Sequence, residues 1–372
     1  MTIAINLTNF ISGASKDIVY AQFERLAIVR KEDQFVFILT KDQNRASGSI
    51  SNISALISGP KTNTILLWKL WYDYTLPSLL KKCKASLLVN TDNVCSLRTK
   101  IPQCLFIADI GFINAGENFL NKYYRYVQKN AVLFFSKASV IITSTQSVQK
   151  EIVEYFKKFD EKIITAPLNI SRYYQPMSWK EKEEVKEKLT EGKEYFLFSG
   201  QIDERANLVN LLKAFSFFKR RQKSNMQLLI AARQSPAANT FIESLKTYKY
   251  HNEVKVLSNL SEEEIAKLTA AAYAFVYPVW HESLPLIPLN AIHCEAPLIL
   301  PGTAIFREIA GQAAIYIQPD NIEDIAQKMM LLFKDETQRN ELIKTSKALA
   351  ISYRQTDHAD LLWKAITNSL EL

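Results

Sequence analysis

Short apolar runs alternate with amphipathic stretches along almost the whole chain. In the first half, residues 3–6, 34–40, 86–90, 103–108, 139–143 and 162–166 have the length and β-branched content of buried strands. Between them, 15–30, 68–82, 118–135 and 147–158 repeat apolar positions at helical spacing. The second half does the same. Strands are predicted at 195–199, 227–231, 254–257, 275–277, 298–300 and 314–317, and helices at 208–221, 239–248, 261–272, 286–294, 322–333, 336–352 and 358–370. Strand–helix alternation of this kind predicts an α/β class built on doubly wound parallel sheets. The tract 169–178, NISRYYQPMS, lacks periodicity and reads as a linker, after which Ser178 and Glu181 have the spacing of a capping box. Two domains are therefore expected, at about 1–172 and 173–355.

Composition narrows the chemistry. The 372 residues contain only 9 glycines, and neither GxGxxG nor GxxxxGK[ST] occurs. Backbone cradles for phosphate usually need glycine, so the sequence argues against the common dinucleotide and P-loop sites. No apolar stretch approaches the ~18 residues of a spanning helix. The opening MTIAINLTNF has no basic leader before an apolar region, so no secretory signal is expected. The four cysteines lack CxxC spacing, which fits reduced thiols of a cytoplasmic protein and supports neither a zinc site nor a disulfide framework. All four histidines lie beyond residue 250, so any histidine base must come from the second half.

Charge is divided unevenly: residues 1–172 carry a net +9 and residues 173–372 a net −1. The basic half suits an anionic partner such as a membrane surface or charged acceptor, and suits equally a solvated basic face. Trp68, Trp71, Tyr72 and Tyr74, followed by Lys81, Lys82 and Lys84, fit either an interfacial helix or a helix with its aromatics in the core. Nucleic acid is not expected, because no recognition motif accompanies the charge.

Three segments resemble one known family. Residues 195–214, YFLFSGQIDERANLVNLLKA, resemble the strand, glycine, loop, Arg-Lys-Asn and helix that open the donor domain of family 4 (group 1) retaining glycosyltransferases. Residues 277–302, YPVWHESLPLIPLNAIHCEAPLILPG, with EIAGQAAIYIQPD after them, resemble its signature of Glu, seven residues and Glu, followed by an E-x-x-G-x-A-A turn. Residues 96–112, SLRTKIPQCLFIADIGF, resemble the strand that leads to the family's His-Asp loop. The resemblance implies a GT-B fold: two Rossmann-like domains facing an interdomain cleft, with the helix in 356–372 crossing back to the first. It implies retaining transfer of a hexose from a nucleotide-diphosphate sugar to a glycan or lipid-linked acceptor, with no metal or other cofactor. The protein would be cytoplasmic or membrane-peripheral.

By the same resemblance, Glu282 faces the donor sugar, Arg205 the diphosphate and Asn290 the ribose, with Gly200 and Ser283 lining the donor and Asp109 on the acceptor side. Each has a plainer reading: Glu282 as an exposed loop acid, Asp109 as a cap, His281 and His293 as packing residues. The sequence also departs from the pattern. The cleft His is Ala108, the diphosphate Lys is Ala206, a frequent second Arg is Gln201, and the second signature Glu is Asn290. The Gly-Phe-Gly turn is Ser283-Leu284-Pro285, and Pro285 lacks an N–H. Asn290 can still hydrogen-bond a ribose, and Arg205, His281 or Arg233 can supply charge. Losses confined to the ligand positions allow an alternative: a catalytically degenerate fold that binds a glycan or a protein.

Overall fold

The computed structural model describes residues 1–8, 15–40, 50–59, 64–108, 110–114, 122–232, 236–356 and 358–370; Asp109 and Arg233 lie outside them. The chain forms two compact units. The first comprises Met1–Asn169 with Asp357–Leu372, and the second Ile170–Thr356.

The first unit is built on strands β1 (Thr2–Asn6), β2 (Gln34–Leu39), β3 (Ile53–Ile57), β4 (Leu87–Asn90), β5 (Gln103–Phe106), β6 (Val140–Thr143) and β7 (Ile163–Thr165). Every pairing is parallel, in the order β3-β2-β1-β4-β5-β6-β7. β4 and β6 are buried at every position, and β1 and β2 at all but their first, because crossover helices cover both faces of such a sheet. β3 was not expected. It is a half-exposed edge strand whose Ser54 and alternating burial weaken its apolar signal. Its register is fixed from outside: buried Asn52 donates from Nδ2 to the carbonyls of Ala27, Arg30 and Asp33 at 2.9–3.0 Å.

The stretch predicted at 68–82 begins earlier and is interrupted. Helix Ile65–Leu70 runs through a π turn, Trp71–Thr75, into helix Leu76–Lys82. Pro77 explains the widening, since its ring conflicts with the carbonyl four residues back and it offers no N–H. Trp68, Trp71 and Tyr72 are buried and pack edge to face or tilted, at centroid distances of 5.2–6.3 Å. Helix His358–Thr367 belongs to this unit. Its Trp363 lies 6.4 Å from the Phe35 ring, and the Arg30 guanidinium sits 4.2 Å above the indole.

The second unit has strands β8 (Tyr195–Gly200), β9 (Gln227–Ala232), β10 (Val254–Leu257), β11 (Ala274–Val276), β12 (Leu298–Pro301) and β13 (Ala314–Ile317), all parallel in the order β10-β9-β8-β11-β12-β13. Phe196, Phe198, Phe215 and Phe218 fill its core. Ser178 and Glu181 form the expected capping box at the start of helix Trp179–Thr190. In each sheet the strand order reverses once, between β1 and β4 and between β8 and β11, which is where parallel α/β sheets bind ligands. Among the described residues no helix is long and apolar enough to cross a membrane. The four cysteines are free thiols, three of them buried.

Candidate functional site

At the reversal point of the second sheet, two loops leave adjacent strands and are tied to each other. The first leaves β8 at Gly200, whose φ of +155° strains any residue with a Cβ; an added Cβ would also lie 3.3 Å from the Phe198 ring. Asp203 then caps a 3₁₀ turn, Glu204–Ala206, by accepting the N–H groups of Arg205 at 2.9 Å and Ala206 at 3.2 Å. The other oxygen of Asp203 takes the Arg205 guanidinium at 2.9 and 3.2 Å. Asn207 ends the turn with φ +56° and is pinned by two bonds from Nδ2, to the carbonyls of Pro278 at 2.9 Å and Pro319 at 2.6 Å.

The second loop leaves β11. Its Trp280 N–H donates to the carbonyl of Arg205 at 3.0 Å, a backbone bond that ties the two loops together. Glu282 is half-buried, and both of its oxygens are engaged. Oε1 accepts the N–H groups of Ser283 at 3.0 Å and Leu284 at 3.1 Å, and Oε2 accepts the hydroxyl of Tyr277 at 3.0 Å. Burial holds the Glu282 carboxyl above its usual range, opposed by the Leu284 N–H, the Tyr277 hydroxyl, the nearby Arg205 charge and the Ser283 N–H. The Tyr277 phenol is pushed well above its ordinary value by burial, with Glu282 adding to the effect. Its ring is fixed between Phe198 and Phe275, stacked at 5.7 and 5.8 Å.

Arg205, Ser283 and Glu282 are thus brought together, with Gly200 close by: its Cβ position lies 3.7 Å from Ile287, on the helix that follows Glu282. The Ser283 hydroxyl meets His281 Nε2 at 3.1 Å. Asn290 lies on helix Leu286–His293, buried, with no hydrogen-bond partner for Oδ1 among the described residues. Ala206 is buried and offers no charge. His293 is a packing residue: its Nδ1 meets the Leu289 carbonyl at 3.0 Å and its ring packs near Tyr353. Ala108 is buried beyond β5 in the first unit, and Asp109 falls outside the described residues. Sequence reasoning missed Asp203 as the clamp on Arg205 and Tyr277 as the holder of Glu282. The capping position of Asp203, two residues before Arg205, was an available signal. The Tyr277 contact has none, because it depends on how the loop folds back.

Residues 180–349 match the family described as Glycosyl transferases group 1. The chain is 24% identical over 243 residues to O-antigen chain mannosyltransferase B of Escherichia coli, covering 65% of this chain and 63% of that protein. It is 24% identical over 283 residues to O-antigen chain mannosyltransferase RfbU of Salmonella typhimurium, covering 73% of each. Against the serotype-specific mannosyltransferase WbdA of E. coli, at 20% identity, it spans 31% of the relative's length. In structure it is similar to WaaG, a glycosyltransferase involved in lipopolysaccharide biosynthesis, with a TM-score of 0.77 at 15% identity over 98% of both chains. It is equally similar to Anabaena HepE in complex with UDP-glucose, with a TM-score of 0.77 at 13% identity over the full length of both. Two Rossmann-like units with parallel sheets match these GT-B structures, and residues 180–349, which hold both tied loops, are a group 1 glycosyltransferase domain.

Proposed function

We propose that the protein transfers a hexose from a nucleotide-diphosphate sugar to a glycan or lipid-linked acceptor, with retention at the anomeric carbon. The names of the E. coli and Salmonella relatives make mannose the first donor sugar to try. The observation that carries the reading is the pair of tied loops inside the group 1 domain, which gathers Arg205, clamped by Asp203, and the Glu282 carboxyl at the sheet's reversal point. In this reading Arg205 neutralises the leaving diphosphate and Glu282 orients the donor sugar. The buried, unpartnered Oδ1 of Asn290 accepts a ribose hydroxyl, and Gly200 and Ser283 let the donor approach the backbone. The chemistry needed is electrostatic stabilisation of a leaving anion and of a sugar with growing positive character. It calls for no metal, so turnover should survive a chelator. The protein would work in the cytoplasm, where nucleotide sugars are available, and its basic first unit would reach an anionic membrane peripherally.

The deciding experiment is turnover of GDP-mannose and UDP-hexoses by the unaltered protein, alongside Glu282→Gln. Glutamine keeps the size of the side chain but sets an NH₂ against either the Tyr277 hydroxyl or the two backbone donors. Turnover that Glu282→Gln leaves untouched would refute the assignment.

A second reading, a degenerate fold that binds a glycan or protein, draws on one observation. Glu282 and Arg205 are both held by local partners, Glu282 by Tyr277, Ser283 and Leu284 and Arg205 by Asp203. For that reading, Ala206→Lys with Asn290→Glu should strengthen nucleotide binding by about 10- to 150-fold, the worth of one charge-assisted contact.

A further inference from the structure

The tied loops bring one cation to the reversal point of the second sheet, and that cation is already shared. Asp203 takes the Arg205 guanidinium at 2.9 and 3.2 Å, and the Glu282 carboxyl stands close enough to feel its charge. Ala206 and Gln201 add no charge. A second guanidinium stands at the next strand end. β12 runs parallel beside β11 and ends at Pro301, so the connection at 302–303 leaves the same edge of the sheet as the Glu282 loop. The helix after it, Ala304–Ala310, packs on the residue that holds Glu282: the Phe306 ring meets Tyr277 edge to face at 6.1 Å. From this helix Arg307 folds back toward the strand end. Its Nε donates to the Gly302 carbonyl at 3.0 Å, and its guanidinium lies 4.4 Å from the centre of the Tyr316 ring. Gly302 makes the room, since a Cβ there would stand 3.2 Å from Nη2. The side chain is exposed, and among the described residues no carboxylate pairs with it.

We infer that Arg307 is a second anion-binding residue of this site and pairs with phosphate oxygens of the donor's diphosphate, the task for which Ala206 and Gln201 carry no charge. The inference rests on the nucleotide-sugar reading and gives its leaving group the cation that Arg205 alone does not supply. A phosphate must compete with Asp203 for Arg205, whereas Arg307 offers a charge that no described carboxylate opposes. The Gly302 carbonyl and the Tyr316 ring fix the plane of the group through neutral contacts, which leave its charge whole. Nε is engaged, and the two Nη nitrogens keep the fork that matches two phosphate oxygens. β8 and β12 flank β11, so by the ~4.8 Å strand spacing the two arginines follow strand ends about 10 Å apart, with the Glu282 loop leaving from between them. The ligand class follows from the charge: a neutral sugar gains little from an unopposed guanidinium, and a diphosphate gains most.

The test is isothermal titration calorimetry of the full chain with inorganic pyrophosphate, GDP and UDP, repeated with Arg307→Gln and Arg307→Lys. The unaltered protein should bind pyrophosphate and one of the nucleotides. Arg307→Gln should weaken both by about tenfold or more, the loss of one charge-assisted contact. Arg307→Lys keeps the charge and loses the fork, so its affinity should fall between the two; a loss as large as that of glutamine overturns the inference. If Arg307→Gln does not melt cooperatively, Arg307→Lys decides, and an affinity equal to that of the unaltered protein overturns the inference. An arginine that only closes the strand end onto Tyr316 would lower the melting temperature and leave every affinity in place. That result refutes the Arg307 assignment and leaves the nucleotide-sugar reading standing. Pyrophosphate binding that Arg307→Gln abolishes, with neither nucleotide bound, would uphold the anion seat and refute the nucleotide-sugar reading. No binding of any of the three by the unaltered protein would overturn both.

Discussion

Tyr277 supplies the bond to Oε2 of Glu282, while two backbone N–H groups serve Oε1. Removing that hydroxyl therefore changes the ionisation of the carboxyl without emptying the site. In Tyr277→Phe the desolvation that raises Glu282 loses one of its opponents, so the carboxyl should rise further. The acid limb of the pH–rate profile should move to higher pH and kcat should fall about tenfold, the worth of one hydrogen bond to a charged group. A phenol that served packing alone would lower the melting temperature and leave the profile in place. Asp92, buried in the loop that follows β4, makes a second prediction at this scale. Burial pushes its carboxyl up to about 8 from an ordinary 3.8. The folded protein then keeps a proton that the unfolded chain releases near 3.8, so this stability is whole below that value and is lost as pH rises through about 8. The groups around it are Lys69, Tyr72 and Asp73 from the interrupted helix, Tyr123 and Tyr126 from helix Lys122–Lys137, and Cys95 from its own loop. The melting temperature of Asp92→Asn relative to the unaltered protein should therefore climb between pH 5 and pH 8.5. A difference that stays flat with pH would mean that Asp92 does not titrate there.

Among the elements, the interrupted helix Ile65–Lys82 has two unlike faces. Trp68, Trp71, Tyr72, Leu76 and Leu80 are buried, while Leu66, Leu67, Leu70 and Tyr74 are 46–63% exposed alongside Lys69, Lys81 and Lys82. Exposed leucines beside lysines suit the headgroup boundary of an anionic bilayer. Leu67→Glu with Leu70→Glu should reduce binding to vesicles containing phosphatidylglycerol without loss of cooperative melting, and the unaltered protein should bind more weakly as salt rises. Equal binding to neutral and acidic vesicles would leave the face a solvated one. The spacing of residues 68, 71 and 72 made a shared helical face legible, and whether it turned inward was decided by packing. Parallel strands such as β1 and β9 were legible because burial on both faces leaves continuous apolar runs. β3 was not, since an edge strand needs only half its residues apolar and its register comes from Asn52, a residue outside it. The site divides in the same way. Glu282 and Arg205 could be found from local spacing, whereas Tyr277 and Arg307 gain their meaning from a loop folding back or from strands far apart in sequence.

For the molecule as a whole, the alternation of strands and helices was enough to give two parallel sheets, and no local pattern reveals that helix His358–Thr367 completes the first unit. That helix supplies Trp363 to Phe35 and Arg30, more than 300 residues earlier in the chain. Deleting residues 358–372 should leave the second unit resistant to limited proteolysis and make the first unit the site of early cleavage. Equal resistance of both units would show the helix to be dispensable. The same arrangement bears on the order of events at the ribosome. During synthesis the second unit has all of its sequence in hand once residue 356 has emerged, while the first, translated earlier, still shows the apolar face around Phe35 that Trp363 will cover. The half of the protein made first is the half finished last, and its window of exposure to chaperones and to aggregation lasts for the translation of everything between.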